Sequence, residues 1–490
     1  MASSPPLAKV ILPVQAGFFP RTRMFRLPAK RCFAGMLACW VSVVLIPAVF
    51  TTAARADPNE IAKEKGRSSI MTVAPEFTPV SDYTGNFRER STLLGDPGGY
   101  RQRLYSKGVA LDLGVTQVYQ GVISGGRDKE WKYSAMADYS LSLDTQRLGL
   151  WPAGLLVAHG KTKVGNSVNF AAGTLSPVND PYTTPDASEE SETFLEEYYI
   201  LQGLTGKLWL LAGRILVANF IDISRFAHDA QTQFLNTALK NSLLLGVVTE
   251  AWSTHGIALC YQVTPDVSLS PFLLSSNDED NVWGSPGGLF SEYSAGVLAS
   301  LHWKVDGLPG EAFPVFGYSS KDAMALDDPA LGNNILLGLD PPHKNDNWLV
   351  GFSADQYFYM PEKASGPTVH TARFDKTPEG IGVFFRLYYA PEDRNLYDTF
   401  ISGGVGGRGV IPSRPLDRYG LGFYALIESD DLKDQPVLSG TYESEYGWEA
   451  FYNYAITPWL QVTPDFQYIR SGQKGVDHAD VFGMRLQIDF

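Results

Sequence analysis

Carboxylate, guanidinium and amide side chains stand at alternate positions inside several apolar segments of this chain. In residues 447–456, Glu449 and Asn453 alternate with apolar neighbours such as Trp448 and Tyr454. Successive side chains of a strand point to opposite faces, so this spacing predicts a strand with one apolar and one polar face. The polar face would offer directional, charge-assisted hydrogen bonds to whatever lies beside it.

The same alternation places further polar residues opposite the apolar face of their segments. They are Asp138, Glu197, Arg214, Asp355, Arg386, Asp465, Gln467, Arg485, Gln487 and Asp489. A Lys or Arg on the lipid side of a membrane strand costs about 2–4 kcal/mol at mid-bilayer depth, so mid-strand charges would belong on the wet side. Because most such charges are only solvated or paired across the wall, inward placement is a firmer prediction than a role in binding solute.

The last ten residues, 481–490, carry the clearest alternation in the chain. Their apolar face consists of Phe482, Met484, Leu486, Ile488 and Phe490. The chain then stops on an aromatic residue with no polar tail. This pattern is typical of the closing strand of a bacterial outer-membrane barrel, whose outer face meets lipid and whose inner face meets water. A soluble β-sandwich is the alternative that these residues alone leave open.

The opposite end of the chain predicts export. Residues 1–56 contain seven Lys or Arg and no Asp or Glu, and an apolar run at 32–46 follows a basic stretch. The triplet Ala-Arg-Ala at 54–56 completes the pattern of a secretory signal peptide, cleaved after that triplet. A transmembrane anchor is the alternative, which Pro47 and the small residues at the exit weaken. A start at Met24 would leave a signal of ordinary length.

Composition indicates the same class of protein. The hydrophobic content is 44%, yet residues 57–490 contain no run of about 18 apolar residues that could form a spanning helix. Alternating apolar strands can cross a bilayer only as a closed barrel, in which every backbone group is paired. Aromatic residues make up 12% of the chain, as the interfacial girdles of such barrels require.

The net charge argues against one class of partner. The chain has 40 Lys and Arg against 53 Asp and Glu, and loss of residues 1–56 would leave 33 against 53, or about −20. Such acidity makes nucleic acid an unsuitable partner. Of three cysteines, Cys260 alone would remain after cleavage, so no internal disulfide and no cysteine-based metal site are predicted.

Neither catalytic residues nor a cofactor site are predicted. The seven histidines are scattered, and none lies in a recognisable constellation with Ser, Asp or Glu or in a pair with metal-ligand spacing. The glycine-rich stretch 403–409 lacks the Gly-Lys-Ser/Thr continuation of a phosphate-binding loop. It is interpreted instead as a flexible hairpin connection. The sequence therefore predicts a protein that is not an enzyme and that holds no metal.

Alternating segments recur after a polar lead-in at residues 57–98. The predicted strands are 109–119, 133–144, 155–162, 194–202, 207–217, 256–263, 267–274, 293–303, 347–359, 368–374, 381–390, 419–427, 447–456, 460–469 and 481–490. Residues 244–252 are assigned as one more, because single-chain bacterial barrels favour even numbers. Residues 99–490 are therefore predicted to form an all-β, transmembrane antiparallel barrel of about 16 strands.

The predicted connections differ in length and character. Thr457-Pro458 is a tight turn, whereas residues 165–191, 276–292 and 304–345 are long and polar, as external loops or inward-folded plugs are. In residues 225–241, apolar residues follow helical spacing and predict a short helix in the lumen or at the rim. They are Phe226, Ala230, Phe234 and Ala238.

Several patches of the chain resemble the OprB-type carbohydrate-selective porin family. They are residues 93–101, residues 197–202 with Gly213-Arg214, residues 380–386 with 417–423, and residues 449–468, where Thr457-Pro458-Trp459-Leu460 is the most specific. Two positions depart from the family pattern. Pro97 stands where the family usually has Trp, and Leu201 stands where an acidic residue is expected.

The resemblance implies a channel of about 16 strands in the bacterial outer membrane that passes small sugars by diffusion. Its partners would be sugar solutes, outer-membrane lipid and, through Phe490, the barrel-insertion machinery. A homotrimer is a possible oligomeric state. Arg386, Arg214 and Glu197 become the stronger candidates for solute contact because they also fall in matching patches. Two alternative functions remain open from the sequence: a general ion-conducting porin without sugar selectivity, and a structural barrel with a plugged lumen.

Overall fold

The computed structural model describes most of the predicted barrel. It describes residues 85–182, 192–248, 253–276, 290–361 and 379–490. The predicted signal peptide at residues 1–56 lies outside these ranges. So do the lead-in as far as residue 84 and the predicted strand at 368–374.

Sixteen antiparallel strands close into a barrel in which the first strand pairs with the last. In chain order they are β1 Val109–Gly126, β2 Trp131–Asp144, β3 Gly154–Gly165, β4 Glu192–Gly203, β5 Leu208–Leu216, β6 Ser253–Thr264, β7 Val267–Ser275, β8 Tyr293–Val305, β9 Leu308–Ser319, β10 Asn347–Tyr359, β11 Gly380–Tyr389, β12 Tyr397–Arg408, β13 Arg418–Glu428, β14 Glu445–Thr457, β15 Leu460–Arg470 and β16 Asp477–Asp489. Closure leaves no open edge in this sheet.

The helices are short and lie outside the barrel strands. The α-helices are Tyr100–Ser106, Asn169–Ala172, Ala218–Ile221, Thr237–Lys240, Leu331–Leu337, Asp430–Asp434 and Pro436–Ser439, and the 3-10 helices are Pro97–Gly99, Asp180–Tyr182, Leu243–Val247 and Glu392–Arg394. A small separate ladder joins Ala323–Met324 to His343–Lys344. Among the described residues, no helix has the length and apolar character needed to cross a membrane.

The faces of the strands follow the predicted alternation. In β14, Trp448 and Tyr454 are exposed on the outer face, whereas Glu449 and Asn453 are buried on the inner face. In β16, Arg485 is likewise buried on the inner face. The predicted all-β barrel and its strand number are therefore confirmed.

Two of the segment assignments were wrong. The predicted loop at 304–345 contains β9, whose inner face carries Phe313 and Val315 of the buried apolar core next to Glu311, so that face is not uniformly polar. Residues 244–252, assigned as a strand, fall in part in the 3-10 helix Leu243–Val247, which packs against β10 and β12. The inward apolar residues of β9 and the buried Leu244 and Leu245 of this helix belong to the interior of the barrel.

The glycine-rich stretch 403–409 was also assigned wrongly, because most of it lies within β12. Its inward glycines make room for Phe226, which comes from the connection between β5 and β6. A Cβ atom on Gly406 would lie 2.7 Å from the Cβ of Phe226, and one on Gly382 in β11 would lie 2.3 Å from its ring. The glycines therefore form a flat stretch of inner wall on which an aromatic ring rests.

Residues 217–248, between β5 and β6, fold into the lumen and are called the interior segment. Its Phe234 packs against Phe384 and Phe451 of the wall, with ring centroids 5.5 and 4.8 Å apart. The main apolar core therefore lies inside the barrel. The helix predicted at 225–241 is confirmed only at Thr237–Lys240, because wall side chains bind backbone groups elsewhere in the segment.

The described part of the predicted long loop at 165–191 also folds inward. Glu445 of β14 accepts the backbone N–H groups of Leu175 and Ser176 at 2.6 and 2.8 Å. The N–H of Asp180 donates to the carbonyl of Leu235 in the interior segment at 2.8 Å. We call residues 166–182 the inward loop, and together with the interior segment it occupies part of the lumen.

The described lead-in residues contact the C-terminal end of the chain. The N–H of Leu93 donates to the carbonyl of Asp489, and Arg101 donates to the carbonyl of Phe490, both at 2.7 Å. The N–H of Phe490 in turn donates to the carbonyl of Leu113 in β1 at 2.8 Å. These contacts lie beside the seam, by which we mean the pairing of β1 with β16.

Candidate functional site: the inner wall of the barrel

Arg386 lies on the inner face of β11, as predicted, but its side chain holds the interior segment. Its Nε donates to Asp222 at 2.7 Å. Its two other nitrogens donate to carbonyls of the interior segment, including Leu239 at 2.9 Å and Lys240 at 2.8 Å. The side chains of both Arg386 and Asp222 are 0% exposed. Arg386 therefore has little remaining capacity to contact a solute.

Arg485 and Glu449 bind the interior segment in the same way. Arg485 of β16 donates to the carbonyls of Ala230 and Gln233 at 2.7 and 2.8 Å. Glu449 of β14 accepts the N–H groups of Leu235 and Asn236 at 2.6 and 2.8 Å. The wall thus supplies charged groups to backbone atoms that would otherwise be buried without partners.

Asp355 of β10 binds the start of the interior segment, next to an ion pair that the sequence did not predict. Asp355 accepts the Ser224 hydroxyl at 2.8 Å and the Arg225 N–H at 2.5 Å. The Arg225 guanidinium binds both carboxylate oxygens of Glu311 in β9, at 2.7 and 2.6 Å. Glu311 was missed because its strand was assigned to a loop. We call Glu311, Asp355, Arg386, Glu449 and Arg485 the anchor residues.

Four further predicted residues lie buried on the inner face. They are Asn453, Asp465, Gln467 and Gln487. Asn453 donates to Thr463 at 2.8 Å, Gln467 donates to Asp465 and to the Val178 carbonyl at 2.9 Å, and Gln487 accepts from Thr116 at 2.6 Å and donates to Asp489 at 2.8 Å. Gln467 also accepts from Asn236 of the interior segment at 3.1 Å, so these residues add to the same internal framework.

Arg214 does not face the lumen, and its predicted placement was wrong. It pairs across the sheet with Tyr198 in β4 and His255 in β6, and directly paired residues share a face. Its neighbours Leu211 and Ile215 have the opposite orientation and belong to the core inside the barrel. Arg214 therefore lies on the outer face. The prediction failed because the inner face of β5 is apolar, where it packs on the interior segment.

The remaining predicted residues, Asp138 and Glu197, lie together on the wall formed by β2, β3 and β4. His159 joins them, with its Nε2 2.9 Å from Asp138 and its Nδ1 3.4 Å from Glu197. Lys161 donates to Glu196 at 2.7 Å. We call Asp138, His159, Lys161, Glu196 and Glu197 the lumen cluster. It contains three carboxylates and one ammonium group.

A β-bulge brings two consecutive glutamates to this cluster. His159 pairs with Glu197, whereas Gly160 pairs with Leu195, so Glu196 is an extra residue in β4. An extra residue interrupts the alternation and can turn an additional side chain to the same face. Glu196 Oε2 consequently lies 3.1 Å from His159 Nδ1. Sequence alternation alone assigns Glu196 to the outer face and could not have predicted its position.

Four of the five residues of the lumen cluster retain contact with solvent, whereas Glu197 is buried like the anchor residues. The side chains of His159 and Asp138 are 11% and 12% exposed, and those of Lys161 and Glu196 are 16% and 12% exposed. The interior segment contributes Gln231, whose Nε2 donates to Asp138 at 3.0 Å. This part of the lumen therefore combines accessible carboxylate, ammonium and amide groups, which can hydrogen-bond a polar solute.

An ion pair continues this polar surface on the two inward-folded connections. Lys240 of the interior segment lies 2.7 Å from Asp180 of the inward loop, and their side chains are 18% and 9% exposed. Both charges are therefore still accessible in part. His159 and Lys161 could have been found in the sequence, since they share one face of the strand predicted at 155–162.

One charged contact outside the strands stabilises the rim opposite the C-terminus. Asp393 accepts hydrogen bonds from Arg394 at 3.0 Å and from Lys344 at 2.6 Å. The bond from Arg394, and then that from Lys344, lower the pKa of Asp393 to about 2, although burial opposes the shift. The Asp393 carbonyl also accepts the N–H of Leu326 at 2.9 Å, so this residue joins two rim connections.

Comparison with known proteins identifies the family. The model of the carbohydrate-selective porin family, OprB family, matches residues 128–490. The chain belongs to this family. Members are channels of the outer membrane of Gram-negative bacteria, so the barrel described above is a porin and lies in that membrane.

Curated relatives and a solved structure agree with this assignment. Porin B of Pseudomonas aeruginosa is 24% identical over 463 residues, covering 87% of this chain and 95% of the relative. A putative porin, QuiX, of Acinetobacter baylyi is 22% identical over 473 residues, covering 87% and 98%. The high-pH structure of Pseudomonas putida OprB has a TM-score of 0.70 at 24% identity, covering 83% of this chain and 100% of that one, which shows the shared fold.

Proposed function

We propose that this porin passes mono- or small oligosaccharides by passive diffusion along the lumen cluster. The observation that supports this route is the difference in exposure between two sets of inner-wall charges. Anchor residues such as Arg386 and Glu311 are fully buried, whereas Lys161 and Asp138 keep part of their side chains in contact with solvent. Of these two sets, the lumen cluster is therefore the one whose charged groups a solute can reach, and the Lys240–Asp180 pair continues its surface.

The proposed route has a fixed cross-section, because the anchor residues hold the interior segment from several directions. They lie on β9, β10, β11, β14 and β16, within the eight consecutive strands that form half of the barrel wall. Polar partners fix the segment at specific backbone atoms, so it is expected to act as a static constriction. A static constriction needs no gating step, which suits diffusion down a gradient.

The chemistry of the lumen cluster fits a neutral, hydroxyl-rich solute. Carboxylates accept hydrogen bonds from hydroxyl groups, while the Lys161 ammonium donates to them. Uptake requires release as well as binding, so millimolar affinity is expected, at roughly −4 kcal/mol. The opposed charges of Lys161 and Glu196 would orient a polyol without favouring a net charge of either sign.

Block of ionic current by sugars in a planar bilayer tests the proposal. Lys161→Met should weaken half-maximal block by a small monosaccharide about tenfold, because a hydrogen bond with a charged group contributes about 1.5 kcal/mol. The matched control is Lys132→Met, which removes the same charge from a lysine that is 32% exposed and paired with Glu130. The control should retain the wild-type value.

Three results would contradict the proposal in different ways. Current that no sugar alters would favour a general porin without sugar selectivity. Absence of any current from correctly folded protein would favour a plugged structural barrel. Equal weakening of block by both lysine variants would mean that the overall charge of the lumen, and not contact with Lys161, controls sugar passage.

Assembly remains a separate part of the proposal. A homotrimer would bury outward apolar residues that otherwise face lipid, and Phe490 is proposed as the element that the barrel-insertion machinery recognises. Mass measurement of the protein in detergent tests the first, with a single-chain mass as the contradicting result. Assembly of a Phe490→Ala variant into membranes tests the second, and an unchanged rate would contradict it.

A further inference from the structure

We propose that His159, Glu196 and Glu197 form a binding site for a divalent transition-metal cation, for which Zn²⁺ is the probe. These residues belong to the lumen cluster, but the test of metal binding does not rely on sugar conduction. One atom of each residue converges on a common point: Nδ1 of His159, Oε2 of Glu196 and Oε1 of Glu197. Nδ1 lies 3.1 Å from Glu196 Oε2 and 3.4 Å from Glu197 Oε1, and a ligand atom from each residue lies within 4.8 Å of the others.

These separations fit a tetrahedral metal. With bonds of about 2.0–2.1 Å to nitrogen and oxygen, ligands at tetrahedral angles lie about 3.3–3.4 Å apart. The two separations from Nδ1 are close to that value without any movement of the backbone. One imidazole and two carboxylates leave a fourth position for water, as in zinc sites with an open coordination position.

The other atom of each proposed ligand is already held by a neighbour. His159 Nε2 contacts Asp138 at 2.9 Å, and Glu196 Oε1 accepts from Lys161 at 2.7 Å. Glu197 Oε2 accepts the N–H of Leu216 at 3.4 Å. A carboxylate on the second ring nitrogen fixes the tautomer and orients a metal-binding histidine. The surroundings of the site are therefore those that support metal ligands.

A second observation concerns the atoms that face the site. His159 is 9% exposed, and its Nδ1 and the Oε2 of Glu196 are buried without a hydrogen-bond partner among the described residues. With a neutral imidazole, a lone pair on Nδ1 would face two carboxylate oxygens, an unfavourable arrangement in a poorly solvated place. A cation between them removes the repulsion.

The charge of the lumen cluster leads to the same conclusion. Asp138, Glu196 and Glu197 contribute three negative charges and Lys161 one positive charge, so the cluster carries −2 when His159 is neutral. A divalent cation brings this sum to zero. An imidazole ligand suits zinc, copper, iron or nickel better than magnesium or calcium, which prefer oxygen ligands only.

Zn²⁺ titration of the full-length mature porin in detergent, stripped with a chelator and free of any polyhistidine tag, tests the site. Calorimetry should detect one strong site per chain, and His159→Ala or Glu196→Gln should weaken it at least tenfold. The matched control is His302→Ala, since His302 is also an inward residue, with its Nδ1 3.5 Å from the Glu311 carboxylate, but lies outside the lumen cluster. This control should bind like the wild type.

A spectroscopic readout keeps the test independent of stability. Co²⁺ at the site should give the intense visible absorption of tetrahedral coordination in the wild type and in His302→Ala, but not in His159→Ala. Heat-dependent migration in gels identifies folded barrels, and only folded protein is compared. Equal Zn²⁺ binding by wild type and His159→Ala, or no strong binding by the wild type, would overturn the proposal. A protonated His159 would then be the group that balances the two glutamates.

Discussion

Replacing Arg386 by Met should release the interior segment while leaving the barrel wall in place. The substitution removes four hydrogen bonds and leaves the Asp222 carboxylate buried without its partner. Breaking a buried ion pair by removal of one partner costs about 3–5 kcal/mol. Because 1.4 kcal/mol is a factor of ten, the population of the displaced segment should rise about a hundred- to a few-thousand-fold. The strands retain their backbone ladders, so the loss is expected to be local.

Hydrogen exchange and single-channel recording measure this release. Amides at residues 222–241 should exchange faster in Arg386→Met, while amides in β14 to β16 should not change. The channel should show larger and noisier current, since the constriction is no longer fixed. The double variant Arg386→Met with Asp222→Asn should be less affected than the sum of the single variants, because no unpaired charge remains. Wild-type exchange and current in Arg386→Met would refute the idea that the wall charges hold the constriction.

Two further predictions concern the rim and the glycine wall. The Asp393 contact should stabilise the rim above the ordinary pKa of a free Asp carboxyl and lose that effect as the pH falls toward its folded pKa of about 2, because protonation removes the charge that Arg394 binds. The protection of rim amides, after correction for the intrinsic pH dependence of exchange, should fall over this range in wild type but not in Asp393→Asn, and identical profiles would contradict the prediction. Gly406→Val should lower the free energy of unfolding by about 1–3 kcal/mol, because the new Cβ would lie 2.7 Å from the Cβ of Phe226. Gly206→Ala should be tolerated, because no atom lies within 4 Å of the Cβ it would add. Thermal unfolding in detergent measures both variants, and equal midpoints would exclude overpacking at Gly406.

Alternation in the sequence predicts the barrel wherever the two faces of a strand meet different surroundings. It succeeds at β14 and β16, whose outer residues are apolar and whose inner residues are polar. It fails at β9, where Phe313 and Val315 face inward, and it places Arg214 on the wrong side for the same reason. The interior segment makes part of the lumen apolar. Strand assignment by alternation assumes that the inner face of every strand is polar, so it cannot detect such a region.

The positions of the inner-wall charges could be predicted, but their partners could not. Arg386 binds the backbone of Leu239, which precedes it by 147 positions in the chain, and Glu449 binds that of Leu235, which precedes it by 214 positions. No local pattern in the sequence encodes such contacts. Glu196 reaches the lumen cluster only because of a bulge, which depends on how β3 and β4 pair. Sequence reasoning therefore gives the wall of the channel, while the structure is needed to separate residues that support the constriction from those that meet solvent.

The seam also determines when the barrel can be completed during biosynthesis. Gly114 of β1 pairs with Asp489, so the two edges that meet are almost at opposite ends of the part of the chain that the structure describes. Contacts between residues so far apart form slowly, because most of the chain must be ordered before they can be made. Until β16 is available, β1 is an open edge able to pair with another chain. The contacts of Leu93 and Arg101 with the last two residues would form after the barrel closes, and they would slow the separation of β1 from β16.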